Sequence, residues 1–222
     1  MPKKLFLGAL SMAALLTLTA CSQTDVIGKI SVTSFDQILK IADVTADDQY
    51  QGWSLNAPDK TARFIFSRDF KVSAPHDVML VVDVQPFLDA GLDPTKLPEG
   101  MIVDSMIMVG QDLGETAFPD SAKASPSASY QELVKLSRSS IGYHEALDHY
   151  GVDLGNGNKF EWAKDMSKND KDIVFVLDPK VLIAAGVDPA KVSGWAFAQV
   201  EMKDASGKMV AVDKFLKPFN LQ

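Results

Sequence analysis

The sequence predicts an α+β fold, built as two tandem copies of one α-β-β-(short α)-β unit of about 90 residues, mostly antiparallel sheet with helices on one side. Three observations predict it. The stretch 77–97 returns as 172–192 without a gap, and eight of the 21 positions are identical: Asp77/Asp172, Val81/Val176, Asp83/Asp178, Ala90/Ala185, Gly91/Gly186, Asp93/Asp188, Pro94/Pro189 and Lys96/Lys191. A helix-like apolar spacing precedes this block in both copies. Strand-like patterns surround it, some alternating and some continuously apolar.

The first element of each copy reads as a helix. Phe35, Ile38, Leu39 and Ala42 fall at i, i+3, i+4 and i+7, which puts them on one face, and Tyr130, Leu133 and Val134 repeat the start of that face. Ser34 with Gln37, and Ser129 with Glu132, have the spacing of a capping box, so both serines are expected at helix N-termini. Next, 63–68 and 159–164 alternate, with Phe64 and Phe66, or Phe160 and Trp162, on the apolar side. They read as half-buried strands. The runs 78–84 and 173–177 are continuously apolar and rich in β-branched residues, as strands covered on both faces are. A short helical segment follows each and stops at Gly91 or Gly186. Asp93-Pro94 and Asp188-Pro189 have the cap-then-proline order that opens another helical turn. The stretches 101–109 and 195–202 read as the next strands, with 204–207 a turn and 208–213 a returning partner. Pairing is expected to be mostly antiparallel, with a parallel crossover possible around 87–100.

Between the copies, 119–128 is polar and of low complexity and reads as a linker. The second copy has an apparent insertion at 139–150, where Tyr143, Leu147 and Tyr150 stand at helical spacing and predict an added helix. The expected organisation is thus a signal segment at 1–20, a tether at 21–32, a first copy at 33–118, the linker, and a second copy at 129–222. Two copies are too few for a solenoid, so a two-lobed or pseudo-twofold body is expected.

The first 21 residues have two lysines, a short apolar run and small residues before a cysteine, which is the pattern of a secretion signal and is too short to span a bilayer. Leu18-Thr19-Ala20-Cys21 resembles the lipobox of bacterial lipoproteins. That resemblance implies cleavage before Cys21 and diacylation of its thiol, and two or more acyl chains hold a protein at a bilayer where one would not. By the same resemblance, Ser22 implies sorting to the outer membrane, facing the periplasm, in a cell with two membranes, and otherwise a place on the outer face of the cell membrane. The tether that follows reaches at most roughly 35–40 Å.

The charge is −7 overall, and removing the signal takes Lys3 and Lys4 with it. An acidic body has no electrostatic footprint for nucleic acid and no attraction to anionic lipid, so membrane contact is expected through the anchor alone. Cys21 is the single cysteine, which excludes an intramolecular disulfide.

No nucleophile elbow, phosphate loop or dinucleotide fingerprint occurs, and no cofactor is expected. His144 and His149 are five residues apart, roughly 140° around a helix, so they read as a solvated helix face with no metal expected. His76 reads as a loop residue. The repeated aspartates read as turn and cap residues. Trp162 and Trp195 read as core, whereas Trp53, with Tyr50 beside it, is the candidate for ligand contact.

These features predict a non-catalytic envelope lipoprotein that binds or scaffolds an envelope protein or a small ligand. A second expectation is a solute-binding lipoprotein with its site between the copies, since interfaces between lobes are favoured pocket positions. A third is a hydrolase using His144 or His149.

Overall fold

The computed structural model describes residues 31–71, 76–114, 116–136, 140–145, 147–166, 171–204 and 206–221. Cys21, the signal and most of the tether lie outside them. The described chain is α+β, with two six-stranded antiparallel sheets, one from each copy.

The first copy runs α1 (31–38), β1 (Val44–Asp47), β2 (Gly52–Asn56), β3 (Ala62–Ser67), β4 (Val78–Asp83), α2 (Gln85–Asp89), a 3-10 turn (Pro94–Lys96), β5 (Ile102–Val103) and β6 (Met106–Gln111). After α3 (Asp120–Lys123) the second copy runs α4 (Pro126–Leu136), β7 (Ile141–His144), β8 (His149–Asp153), β9 (Lys159–Ala163), β10 (Ile173–Leu177), α5 (Lys180–Ala184), a second 3-10 turn (Pro189–Lys191), β11 (Ala196–Lys203) and β12 (Met209–Phe219). The strand orders β1-β2-β3-β4-β6-β5 and β7-β8-β9-β10-β12-β11 are the same. The registers agree too, since Phe64 faces Leu80 as Phe160 faces Phe175.

One core serves both copies. Because side chains alternate along a strand, Phe64 and Phe66 of β3 and Phe160 and Trp162 of β9 all point inward. There Phe64 stacks on Phe160, with ring centres 4.1 Å apart and planes 5° from parallel. The two helices cross over. Phe35 of α1 lies 4.0 Å from its own repeat counterpart, Tyr130 of α4, and 5.1 Å from Trp162 of the other sheet. The phenol of Tyr130 is held well above its ordinary pKa by complete burial. At the other end, Gly91 and Gly186 meet back to back. A Cβ on Gly91 would stand 3.0 Å from the Gly186 carbonyl oxygen, and one on Gly186 2.8 Å from that of Gly91. Beside them the Asp93 N–H donates to Ala185 and the Asp188 N–H to Ala90, both at 2.8 Å. These reciprocal pairs mark a pseudo-twofold axis through the core. The identity of Gly91 and Gly186 follows from this close approach as well as from their positive φ.

The repeated aspartates are structural in both copies. Asp77 and Asp172 are buried, and their carboxylates accept backbone N–H groups, from Leu113 at 2.6 Å and from Leu221 at 2.8 Å. Asp93 and Asp188 cap the 3-10 turns through the N–H groups of Thr95 and Ala190.

Several expectations are corrected. Ser34 and Ser129 lie inside their helices and do not cap them. Each hydroxyl instead reaches the other copy: Ser34 donates to the Ala163 carbonyl at 3.0 Å, and Ser129 accepts from the Trp53 indole N–H at 2.9 Å. The cap of α4 is Ser125, whose hydroxyl accepts the Ala128 N–H. The stretch 119–128 is helical for most of its length, with Phe118 and Ala122 in the core. The expected helix at 139–150 is a hairpin, β7–β8. Tyr143 and Tyr150 are cross-strand partners there, 5.3 Å apart, and a four-residue turn with Asp148 at φ 52° replaces a helical register. It is not an insertion, because β1–β2 is the same hairpin with Gln51 at φ 48°. The single strand expected at 101–109 is a hairpin turning at Asp104 and Ser105, both at positive φ. No parallel crossover forms, since every strand pairing among the described residues is antiparallel.

The real length difference between the copies lies in the last hairpin. The two-residue β5 becomes an eight-residue β11, and β12 has 11 residues. Of these, only 215–219 pair with β10, so the distal part of β11–β12 extends past the sheet.

Candidate functional site

Each sheet has an outer face, turned away from the shared core. Outward positions on β10 are Val174 and Val176, on β9 Glu161, and on β12 Leu216 and Pro218. The extended β11 adds Val200 and Met202, and the β7–β8 hairpin adds His144, Leu147 and His149. Together with Lys171 these residues line a groove of about 340 Å³. That volume sits at the lower end of the size range of ligand pockets.

The floor and one wall are aliphatic, and the polar groups gather at the hairpin end. Glu161 is 4% exposed. Its Oε2 lies 3.5 Å from Nδ1 of His144 and 4.0 Å from Nδ1 of His149, which is itself buried. His144 and His149 are directly opposed across the hairpin. This is why two residues that a helix would separate share one carboxylate. A proton on either Nδ1 lets that ring donate towards the buried carboxylate. Lys171 is exposed at the rim. Among the described residues, no cluster of three or more His, Cys, Asp or Glu side chains is arranged to hold a metal ion.

The equivalent face of the first copy is closed. By strand register, Ile65, Met79, Val81 and Met108 correspond to Glu161, Val174, Val176 and Leu216. Tyr50 packs with those four as a small buried cluster of its own. It stands two residues before β2, as Leu147 stands two residues before β8. Tyr50 folds over the sheet and is 6% exposed, whereas Leu147 is 42% exposed. Burial raises the pKa of the Tyr50 phenol, and its hydroxyl accepts from the Gln49 amide at 3.2 Å.

The two residues expected to contact a ligand are therefore not brought together. Trp53 points inward from β2, with its N–H bonded to Ser129 and the Arg68 guanidinium 5.7 Å from its ring centre. Tyr50 is on the opposite face. His76 stands where the second copy has Lys171, with its Nδ1 3.3 Å from Asp112. Trp162 and Trp195 are core, as expected. The sequence reading passed over Glu161 and the outward valines. A signal was present, because aligning Phe64 with Phe160 puts Glu161 against Ile65, a charge against an apolar residue in an otherwise apolar strand pair.

Stacked rings of the core lie between the two sheets, and the groove on the outer face has room for a solute. Among the described residues, no helix is long and apolar enough to cross a membrane. No known family model, curated protein or solved structure matches this chain.

Proposed function

We propose that this chain is a lipid-anchored protein of the bacterial envelope that binds a small molecule, without catalysis, in the outer groove of its second copy. The carrying observation is that one backbone occurs twice, and the face that the first copy closes with Tyr50 is left open in the second. The lipobox-like Leu18-Thr19-Ala20-Cys21 supports an acylated Cys21. With Ser22 after it, the reading is of a body at the outer membrane facing the periplasm in a two-membrane cell, and otherwise on the outer face of the cell membrane. The acidic body, at −9 without Lys3 and Lys4, favours attachment through acyl chains over attraction to anionic lipid.

Native mass spectrometry tests both halves. Protein extracted from membranes is expected to carry the mass of acyl groups, and Cys21→Ser protein to lack it. The gently purified Cys21→Ser protein is expected to retain a small-molecule adduct that denaturing conditions release. A bare mass that also takes up no small molecule from a periplasmic or growth-medium extract would turn the reading towards a protein scaffold.

A further inference from the structure

We infer that the groove of the second copy takes a single aromatic ring carrying an uncharged hydroxyl, a phenol-like ligand, seated where the first copy seats its own Tyr50. This inference rests on the binding reading above and names the ligand class for the same groove.

The first copy shows what the backbone accommodates. On its outer face a phenol ring lies against Ile65, Met79, Val81 and Met108. Three of the four equivalent positions stay aliphatic in the second copy, as Val174, Val176 and Leu216. Valine for methionine at 174 and leucine for methionine at 216 shorten the floor. Pro218 takes the place of Gly110, and Val200 and Met202 of the lengthened hairpin close the side. Leu147, which holds the place of Tyr50 in its hairpin, lines the groove but leaves it open and is 42% exposed.

The Tyr50 hydroxyl meets Gln49 and Arg63, whereas the polar end of the second groove lies at Glu161, so the ligand shares the floor but sets its hydroxyl there. A phenol O–H both donates and accepts. It can donate to the Glu161 carboxylate or an imidazole nitrogen, and accept from the Lys171 ammonium at the rim. A carboxylate head in the same place would face the buried negative charge of Glu161 at close range, where like charges repel strongly. Charge complementarity therefore favours the neutral hydroxyl over an anionic acyl chain.

The probes are 4-methylphenol, the side chain of tyrosine as a free molecule, and dodecanoate, added to ¹⁵N-labelled mature protein with Cys21→Ser. 4-Methylphenol is expected to shift the amide resonances of His149, Glu161, Val174 and Val176 and to saturate at one site. Leu147→Tyr, a change at an exposed residue, is expected to plug the groove and weaken that binding at least tenfold. Tyr50→Leu, which installs the second copy's residue in the first, is expected to open a second site that shifts Ile65, Met79 and Val81. If Tyr50→Leu does not fold, Leu147→Tyr alone still decides. Unchanged binding in Leu147→Tyr overturns the inference. Dodecanoate shifting the groove while 4-methylphenol leaves it untouched also overturns it, yet leaves the small-molecule reading standing. Neither probe shifting the groove overturns the phenol inference as well, and uptake from the extract then decides the small-molecule reading separately.

Discussion

The two outer faces have one backbone and different fates. On the first sheet, Tyr50 packs over Ile65, Met79, Val81 and Met108 and seals the face. On the second, Glu161 replaces Ile65, two histidines stand beside it, and Leu147 lines the edge without filling the space, so a groove remains. The inner faces differ far less, with Phe64 against Phe160 and Gly91 against Gly186. Inner positions touch their own counterparts across the pseudo-twofold axis, so a change in either copy is felt by both. Outer positions touch only their own sheet and were free to diverge. The groove lies in the part of the repeat that the axis does not constrain.

The largest expected effect sharpens the inner side of this comparison. Phe64→Ala and Phe160→Ala should each cost about 3–5 kcal/mol, because each empties a fully buried ring site in the same core. Together they should cost less than the sum of the two, since the rings contact each other. Urea unfolding followed by tryptophan fluorescence and circular dichroism should show one transition for the whole body. Two separated transitions, or a large cost in only one copy, would break the picture of a shared core.

A second pair of effects should be unequal in size on the outer faces. Ile65→Glu places a carboxylate under Tyr50 with no imidazole beside it, at a cost of about 3 kcal/mol or more. Glu161→Ile removes a buried charge from a face that is already aliphatic, and should change stability by less than about 1 kcal/mol. The same urea midpoints read both. Equal costs would mean that the two faces are energetically alike despite their shapes.

The smallest effect should be the same in both copies. Hydrogen bonds from the Thr95 side chain and then its backbone N–H hold the Asp93 carboxyl below its ordinary pKa. The Lys191 ammonium and then the Ala190 N–H do the same for Asp188. A carboxyl lowered in the folded state stabilises the fold above its unfolded pKa, near 3.8, and loses that contribution as the pH falls through the folded value. Carbon-detected NMR titration should find both below the ordinary range. Asp93→Asn and Asp188→Asn should each flatten the acid limb of the stability profile to a similar degree. One of the two titrating normally would show that the caps have diverged as well.

Much of this architecture was legible from local pattern. The run 173–177 is β10 to the residue, because five consecutive apolar residues can be satisfied only in a strand covered on both sides. Gly91, Gly186 and the Asp-Pro caps announced themselves through backbone and turn chemistry that acts within a few residues. The gapless self-match announced the duplication. Where the reading failed, the deciding partner was distant in sequence. Ser34 and Ser129 have a cap's spacing but spend their hydroxyls on the opposite copy. Tyr143, Leu147 and Tyr150 fit a helix, yet β9 offers a strand to pair with, and that pairing wins. Glu161 was visible as an outward residue of an alternating strand, but its two imidazole neighbours come from β7 and β8 and meet only after the hairpin forms.

The sequence by itself determined the repeat, the inward aromatic stripes, and the turns at glycine and aspartate, since each depends on spacing or on contacts close along the chain. Only the tertiary structure decided that the two copies close on one core, that the helices cross over, and that one outer face is filled while the other is hollow. Those outcomes depend on which side chains meet across about a hundred residues, as Phe64 meets Phe160, and on whether a turn residue covers the sheet, as Tyr50 does, or leaves it open, as Leu147 does.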